Sequence, residues 1–433
     1  MSNEMIGVLC IVIMFALMAM RMWVGTAFAL TGFIGVLLLR GFNQAWTVLF
    51  AASFNNIANY SFTVMPMFIL MGCIISETNI GSNLFKAVHV WIGRLRGGLA
   101  YATVLATGLL GAITGSQLTG AIVMSKVALP EMEKYKYKDT LSCGSIAASS
   151  PLGILIPPSN ALVLFGILTE ISIGKLFIAG VLPGVLTILV FFGAIIIWTR
   201  FDKNLAPVSE TEKPNFKEKV VSLKHVAPII VLFVLCLVSI YTGICTATEA
   251  GALGAFGSII IAFVIRELTF KKLLHCLKES AILLGMIMLS IMGTYIFSSA
   301  LTMSGLPAML SRVVSGLGMP NFVIMFAIII LYLILGCFLP EFPMLMMTVP
   351  ILYPIVKALG FDLLWFGVMV VVVMSVGMLT PPVGMTVYTL AGITKKPVGV
   401  IFKGVVPFII AEAIVIVLLM VFPAIATWLP GRI

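Results

Sequence analysis

The chain has 433 residues, of which 61% are hydrophobic and only 10% are charged, and its formal net charge is +10. A soluble globular protein carries about 25% charged residues, so this composition excludes a water-soluble fold and predicts an all-α polytopic membrane protein. The sequence has no P-loop pattern, catalytic triad or metal-ligating cluster, so we expect neither direct coupling to ATP nor an enzyme.

Apolar segments recur along the whole chain, and about 20 helical residues cross the hydrocarbon core of a bilayer. We predict ten spans, at residues 5–20, 23–39, 60–77, 141–169, 175–199, 226–244, 248–266, 280–300, 362–392 and 402–428. Residues 1–20 lack a basic n-region and an A-x-A-like cleavage site, so we interpret them as a retained first span. The stretch 78–98 is typical of an amphipathic helix at the membrane interface. Residues 200–225 are the one long polar stretch and predict a cytoplasmic linker between two halves.

Two further apolar stretches are too long for one span and too interrupted for two. Residues 99–130 contain four glycines, and residues 322–355 contain one glycine and four prolines. Each fits two half-length helices that meet at a tip, at residues 114–117 in the first stretch and 338–341 in the second. We therefore predict two re-entrant helical hairpins, with a pair of short ordinary spans as the alternative.

A Pro–Pro pair interrupts two of the predicted spans, at Pro157-Pro158 and again 224 residues later at Pro381-Pro382. A helix cannot run through such a pair undisturbed. The same offset, without gaps, gives eight identities in the 31 positions from Gly153 to Pro183. Helices broken at equivalent points of two halves are typical of a secondary transporter's binding site.

We therefore predict two repeats, residues 1–199 and 226–433, each with five spans, one of them broken, and one hairpin. Because five is odd, the second repeat would enter the membrane inverted relative to the first. With the N-terminus outside, the inner side receives 20 positive residues and the outer side five, which obeys the positive-inside rule. The inner residues are Arg21, Lys86, Arg94, Arg96, Lys134, Lys136, Lys138, Arg200, Lys203, Lys213, Lys217, Lys219, Lys224, Arg266, Lys271, Lys272, Lys278, Lys395, Lys396 and Lys403. The outer residues are Arg40, Lys175, Arg312, Lys357 and Arg432.

This distribution places both termini on the periplasmic side and explains the basic excess by membrane orientation. No nucleic-acid partner is therefore expected, while membrane lipid is the expected surrounding.

The chemistry is predicted at the two tips and the two Pro–Pro breaks, because irregular backbone in a membrane must be buried in protein or line a cavity. Carbonyls and C-terminal helix ends suit Na⁺, and N-terminal helix ends suit anions. Neutral polar side chains lie at these points, namely Thr114, Ser116, Gln117, Ser149, Ser150, Ser159, Asn160, Thr380 and Thr386. Glycines that allow close backbone approach are Gly153, Gly336, Gly377 and Gly384.

Few ionisable residues lie within the predicted membrane segments, and such residues are functional candidates. Glu341 at the second tip is the leading candidate for an ion-linked or structural role. Glu249 and Glu412 are candidates for supporting the helix breaks. Lys126 in the first hairpin is expected to extend its ammonium toward the interface.

Five motifs resemble the large membrane subunit, of the DctM or SiaM type, of tripartite ATP-independent periplasmic (TRAP) transporters. They are GAITGS at 111–116, LPEM at 129–132, LGILIPPS at 152–159, AGVLPG at 179–184 and EAGALG at 249–254. The resemblance covers essentially the whole chain. LGILIPPS with GAxxGS upstream is its most specific part, and the later Thr-Pro-Pro-Val-Gly adds to it.

The resemblance implies an elevator-type secondary transporter in the bacterial inner membrane, in which hairpins and broken helices slide against a scaffold. Two or more Na⁺ ions would drive uptake of a small organic acid, such as a dicarboxylate or sialic acid. A periplasmic binding protein would deliver the acid, and a small four-span membrane subunit would brace the scaffold.

The resemblance also implies site residues. One sodium site would use Thr114, Gln117, Gly153, Ile156 and Pro158, and the other Gly336, Gly377, Thr380 and Val383, mostly through backbone carbonyls. Candidates for substrate contact are Ser116, Ser159, Asn160, Glu341, Pro382, Gly384 and Thr386. The chain departs from the family pattern at both tips. Gln117 stands where a second serine is frequent, and the second tip reads Leu-Pro-Glu-Phe-Pro-Met, with two prolines.

Two other functions stay open at this point. A stand-alone Na⁺–dicarboxylate or citrate carrier of similar elevator fold would need no partners, but its usual Ser-Asn-Thr tip motifs are absent. A channel or uncoupled scaffold subunit would need a continuous polar stripe, which the segments lack. The identity of the organic acid cannot be inferred from these residues.

Overall fold

The computed structural model describes residues 2–20, 22–57, 60–93, 95–207, 215–224, 226–316 and 318–432, and these residues form helices and no strand. The first half contains α1 (Asn3–Ala19), α2 (Val24–Arg40), α3 (Phe42–Ile57), α4 (Val64–Ser76), α5 (Ile80–Ile92), α6 (Gly98–Thr114), α7 (Gln117–Lys134), α8 (Asp139–Ser149), α9 (Leu152–Leu155), α10 (Asn160–Thr169) and α11 (Ile173–Phe201). The second half contains α12 (Phe216–Lys224), α13 (Ala227–Tyr241), α14 (Ala247–Val264), α15 (Phe270–Ser304), α16 (Leu306–Gly316), α17 (Asn321–Gly336), α18 (Glu341–Ala358), α19 (Leu363–Gly377), α20 (Met385–Thr394), α21 (Val398–Val421) and α22 (Ala424–Thr427). The predicted all-α polytopic fold is confirmed.

Every predicted span coincides with helix. In the described part of the chain, five helical stretches are by themselves long and apolar enough to cross a membrane: the broken stretch Asp139–Thr169, α11, α14, α15 and α21. Counting the bent pairs α4–α5 and α12–α13 as one span each gives seven. The remaining predicted spans are shorter apolar helices, so their crossing of the membrane stays a prediction.

Both predicted hairpin stretches form helix pairs with tips at the predicted positions, and their re-entrant path in the membrane stays a prediction. In the first, α6 ends at Thr114 and α7 begins at Gln117. Gly115 adopts a left-handed conformation with φ of +60° and donates its N–H to the Gly111 carbonyl at 2.6 Å, which ends α6. The Ser116 hydroxyl then accepts from the Thr119 N–H and caps α7. In the second hairpin, Pro340 has an extended conformation and immediately precedes α18, which begins at Glu341.

The 224-residue offset also appears in the helix bounds. Shifting α7 (117–134) by 224 gives 341–358, the bounds of α18, and shifting α2 (24–40) gives 248–264, one residue from the bounds of α14. The packing is reciprocal as well, because α2 packs on α15 while α14 packs on α4. The two halves therefore share one order of elements. Their inversion across the membrane and the division at 199 and 226 stay predictions.

The halves differ in the region where α3 and α4 of the first half correspond to one helix of the second half. The first half has α3 at Phe42–Ile57, a short 3-10 turn at Tyr60–Thr63 and α4 at Val64–Ser76, whereas the equivalent region of the second half is the single 35-residue helix α15. Helix α15 extends beyond both ends of the predicted span 280–300, because the polar turns containing Lys271, Lys272 and Lys278 continue the same helix. Helix α3 was not predicted, since Asn43, Asn55 and Asn56 dilute its hydropathy.

The predicted linker 200–225 is partly helical. Helix α11 continues to Phe201, and α12 packs on α5, where the Lys219 ammonium lies 5.5 Å from the centre of the Trp91 ring. Helix α5 itself begins after a bend of 70° from α4, as a separate helix within the predicted interfacial stretch. Three of the residues assigned to the inner side, Arg21, Arg94 and Lys213, lie outside the described residues.

Candidate ion and substrate site

The first hairpin tip lies against the first Pro–Pro break. Helix α6 packs on α9 so closely that a Cβ built on Gly111 would lie 2.4 Å from the Gly153 Cα. Real Cβ atoms essentially never come within 3.0 Å of another heavy atom, so neither glycine can be replaced without backbone movement. This contact brings the C-terminal end of α6 beside the non-helical residues Ile156 to Pro158.

Side chains tie the first tip to the first break. The Asn160 amide donates from Nδ2 to the Gly115 carbonyl at 3.2 Å. The Ser159 hydroxyl donates to the Ile154 carbonyl and accepts from the Leu162 N–H at 3.2 Å, which caps α10. The Oδ1 atom of Asn160 is buried and has no hydrogen-bond partner among the described residues. A buried unpaired oxygen is costly unless a ligand satisfies it.

The second tip and second break repeat the arrangement. A Cβ built on Gly377 would lie 2.7 Å from the Gly336 Cα. The Cys337 thiol donates to the Pro381 carbonyl at 3.5 Å, and the Thr380 hydroxyl donates to the Val376 carbonyl at 2.7 Å. Gly153 and Gly377 are themselves 224 residues apart, so the same glycine contact recurs in both halves.

One hydrogen bond joins the two half-sites. The Gln117 amide at the start of α7 donates from Nε2 to the Thr386 hydroxyl near the start of α20. Both side chains are buried, and Gln117 Oε1 has no partner among the described residues. The packing crosses in both directions, since α7 contacts α20 and α10 contacts α18. The N-termini of α7, α10 and α20 and two unpaired amide oxygens thus lie close together.

The structure brings all the predicted site residues to the tips and breaks but exposes them unequally. The buried ones are Thr114, Gln117, Gly153, Pro158, Ser159, Asn160, Gly336, Gly377, Gly384 and Thr386. Ser116, Ile156, Glu341, Thr380 and Val383 are half-buried, and Pro382 is exposed. The first break is therefore enclosed by protein, while the second is open on one side. Both Pro–Pro peptide bonds are cis.

The acidic candidates separate into different roles. Glu249 forms a capping box at the start of α14, where its carboxylate accepts from the Thr246 N–H at 2.8 Å and hydroxyl at 2.9 Å and stabilises the helix start. Glu412 in α21 is buried, with Oε2 unpartnered among the described residues. Glu341 is the first residue of α18 and forms no ion pair in the described part of the chain.

One polar cluster was not predicted from the sequence, where Lys396 was counted only as an inner-side charge. The Lys396 ammonium, between α20 and α21, contacts Glu133 Oε1 at 2.8 Å and both Asp139 oxygens at 2.9 and 3.0 Å. This cluster connects the end of α7 and the start of α8 to the segment between α20 and α21. Lys396 and Asp139 are 257 residues apart, so no local sequence signal could have revealed the contact.

Comparison with known proteins identifies the family. The family model described as "Tripartite ATP-independent periplasmic transporter, DctM component" matches residues 11–425. The chain belongs to the DctM family. As a DctM-family protein it is a large permease subunit of a TRAP transporter and not an enzyme. It is a multi-pass membrane protein.

Several curated proteins are similar to this DctM-family chain. The C4-dicarboxylate TRAP transporter large permease protein DctM of Pseudomonas aeruginosa is 31% identical over 379 residues, which cover 87% of this chain and 88% of that one. The sialic acid TRAP transporter large permease protein SiaM of Vibrio cholerae is 30% identical over 86% of this chain and 87% of its own. The isethionate TRAP transporter permease protein DctMQ of Oleidesulfovibrio alaskensis is 31% identical over 88% of this chain and 59% of its own.

A solved structure shares the fold of this DctM-family chain. The crystal structure of the Alcanivorax borkumensis YdaH transporter, described as having an unusual topology, superposes with a TM-score of 0.60 over 89% of each chain. The sequences are only 14% identical, so this likeness concerns the fold alone.

Proposed function

We propose that this chain is the Na⁺-coupled membrane subunit that imports a small organic acid by an elevator mechanism. The observation that carries the proposal is a close contact between a hairpin glycine and a glycine at a broken span, which occurs at Gly111–Gly153 and again at Gly336–Gly377. The Gln117 side chain joins the two regions by its hydrogen bond to Thr386. Family membership supplies the transport function, and the geometry supports a site with two related halves.

The duplicated break supports Na⁺ as the coupling ion. Helices α6, α9, α17 and α19 end at the tips and breaks, so their last carbonyls lack intrahelical partners. Carbonyls at unwound helix ends coordinate Na⁺ in secondary transporters. We place one ion among Thr114, Gln117, Gly153, Ile156 and Pro158 and another among Gly336, Gly377, Thr380 and Val383. The unpaired Gln117 Oε1 supports the first assignment.

The N-terminal ends of α7, α10, α18 and α20 support an anionic substrate, because exposed N–H groups and the helix dipole favour negative charge. Candidates for its contacts are Ser116, Ser159, Asn160, Glu341, Pro382, Gly384 and Thr386. The related proteins are named for C4-dicarboxylates, sialic acid and isethionate, all of them organic anions. We therefore propose a small organic acid without assigning which one.

The packing supports an elevator. The hairpins and broken spans form one unit, which the Gln117–Thr386 hydrogen bond and the Lys396 cluster hold together across the repeats. Helices α1–α4 and α13–α15 pack on one another in the reciprocal pattern described above and would form the fixed scaffold. The unit of hairpins and broken spans would move as a rigid body and carry the acid and the ions across the inner membrane.

The proposal includes two protein partners and an orientation. A periplasmic binding protein would deliver the acid and a small four-span membrane subunit would support the scaffold, in line with the tripartite name of the family. The charge distribution supports an orientation with both termini on the periplasmic side.

Reconstituted uptake tests the proposal. Proteoliposomes would hold the full chain with or without the small membrane subunit, and a C4-dicarboxylate, sialic acid or isethionate would be presented with or without its binding protein. We expect uptake of one acid only when both partners and a Na⁺ gradient are present. Uptake by the chain alone, unchanged by either partner, would replace this proposal with a stand-alone Na⁺–dicarboxylate or citrate carrier.

A further inference from the structure

A polar cavity lies away from the candidate site, between α5 and the second helix of the first hairpin, α7. Its volume is about 400 Å³, and its polar lining consists of Ser82, Lys86 and His89 from α5 with Lys126 and Glu131 from α7. The transport chemistry proposed above uses none of these residues. The cavity therefore lies between an amphipathic helix and a hairpin.

The charge in this cavity favours an anion. The Lys86 and Lys126 ammonium groups are both exposed, and neither forms an ion pair within the described ranges. The one acidic side chain, Glu131, is engaged by Lys134 at 3.6 Å. Two positive groups from two different helices therefore line the space with one carboxylate, which leaves an excess of positive charge there.

His89 adds a polar group to the cavity wall. Its ring lies 6.3 Å from the ring of Phe85, nearly parallel to it, and 6.3 Å from the ring of Tyr135. The Nδ1 atom is buried and has no hydrogen-bond partner among the described residues. The Ser82 hydroxyl in the lining could complete the hydrogen bonding of a phosphate held by the two lysines.

The outer face of α7 indicates where the anion comes from. Leu118, Ile122 and Lys126 follow one another at a spacing of four, so they lie on one helix face. Leu118 is 49% and Ile122 37% exposed, which makes an apolar surface leading from the basic group toward the hairpin tip. Exposed Trp91 on α5 is typical of the membrane interface. A free phosphate would use only the lysines, whereas a phospholipid would use both surfaces.

We infer that the cavity between α5 and α7 binds the phosphate headgroup of an anionic phospholipid, with an acyl chain on the Leu118–Ile122 face. Basic pockets between helices on the cytoplasmic side of membrane proteins bind such headgroups. The bound lipid would bridge α5 to the hairpin that carries half of the proposed transport site.

Lipid titration of the purified full-length protein tests the inference, with native mass spectrometry to count bound lipid. Each lysine near an anionic headgroup is worth about fivefold in affinity, so K86Q/K126Q should weaken phosphatidylglycerol binding about thirtyfold. The matched control is K271Q/K278Q, which removes two exposed α15 lysines that form no ion pair in the described residues. Glu131→Gln removes the opposing carboxylate and should tighten binding severalfold.

Two further arms distinguish the source of the phosphate. Phosphatidylcholine, whose headgroup has no net charge, should bind to the wild-type protein about as weakly as phosphatidylglycerol binds to K86Q/K126Q. Millimolar inorganic phosphate should not displace phosphatidylglycerol. Equal losses in K86Q/K126Q and the control would overturn the site, since only general surface charge would then matter. Displacement by inorganic phosphate would overturn the lipid assignment.

Discussion

Gln117 is the residue at which the two half-sites meet, because its amide reaches Thr386 across 269 positions of sequence. Both residues were predicted from their polarity at irregular points, but no local pattern in the sequence indicates that they touch. The glycines were easier to predict, since Gly153 and Gly377 stand at equivalent positions before the Pro–Pro pairs. Their partner Gly111 was noted only as part of a motif, because the contact depends on the three-dimensional path of the hairpin.

Removing either partner of the Gln117–Thr386 hydrogen bond should weaken Na⁺ coupling. Loss of a buried hydrogen bond costs about 1–3 kcal/mol, so Gln117→Ala or Thr386→Val should raise the Na⁺ concentration for half-maximal uptake about tenfold. The double variant should be no worse than the more affected single variant, because one interaction is lost in all three. Gln44→Ala in α3 is the control. Fully additive losses would show that the two residues act independently.

Adding one methyl group at either break glycine should disturb the site. Gly153→Ala or Gly377→Ala would place Cβ within 3 Å of the facing glycine Cα, and such overpacking costs about 1–3 kcal/mol. We expect a lower unfolding temperature in detergent and loss of Na⁺-dependent uptake. The control is Gly285→Ala in α15, where a Cβ would meet nothing within 4 Å. Equal behaviour of the three variants would contradict the close glycine contacts.

At the scale of elements, glycines and prolines that interrupt the apolar segments made the hairpins and broken spans predictable. The tips at 114–117 and 338–341 were found where local backbone chemistry ends a helix. Helix α3 was not predicted because its asparagines lower the mean hydropathy, while α15 extends beyond its predicted span because lysines do not end a helix. Hydropathy locates apolar segments, whereas helix ends depend on capping and packing.

The Lys396 cluster joins the first hairpin and α8 to the second repeat, and its contribution should depend on pH. Hydrogen bonds to Glu133 and Asp139 raise the pKa of the Lys396 ammonium above its usual range. A raised pKa of a cation stabilises the fold fully below the pKa of the unfolded chain, about 10.4, and the gain is lost as pH rises through the folded pKa.

Lys396→Gln should therefore lower the free energy of unfolding by about 1 kcal/mol, since the side chains are 25–45% exposed and screened by solvent. The loss should be equal at about pH 7 and about pH 9 and should shrink near pH 11. Thermal unfolding in detergent measures it, with Lys395→Gln as the neighbouring control. A difference that grows with pH would contradict the assigned direction.

At the scale of the whole molecule, the repeated order of elements and the charge distribution together predict an inverted pair of repeats. Cysteine labelling tests the orientation in a background lacking the seven native cysteines, all of them free. Lys357→Cys should react with a membrane-impermeant reagent in intact spheroplasts, while Lys203→Cys should react only after permeabilisation. Both lysines are exposed, so the pair is matched for accessibility. The opposite pattern would reverse the predicted topology.

The central claim is that two related half-sites couple Na⁺ to the movement of one organic acid. Its most direct test is the initial rate of acid uptake against Na⁺ concentration at constant ionic strength, in proteoliposomes holding the chain and its partners. We predict a sigmoidal rise with a Hill coefficient above one, because each half contributes an ion. An unchanged rate when K⁺ replaces Na⁺ would contradict the account.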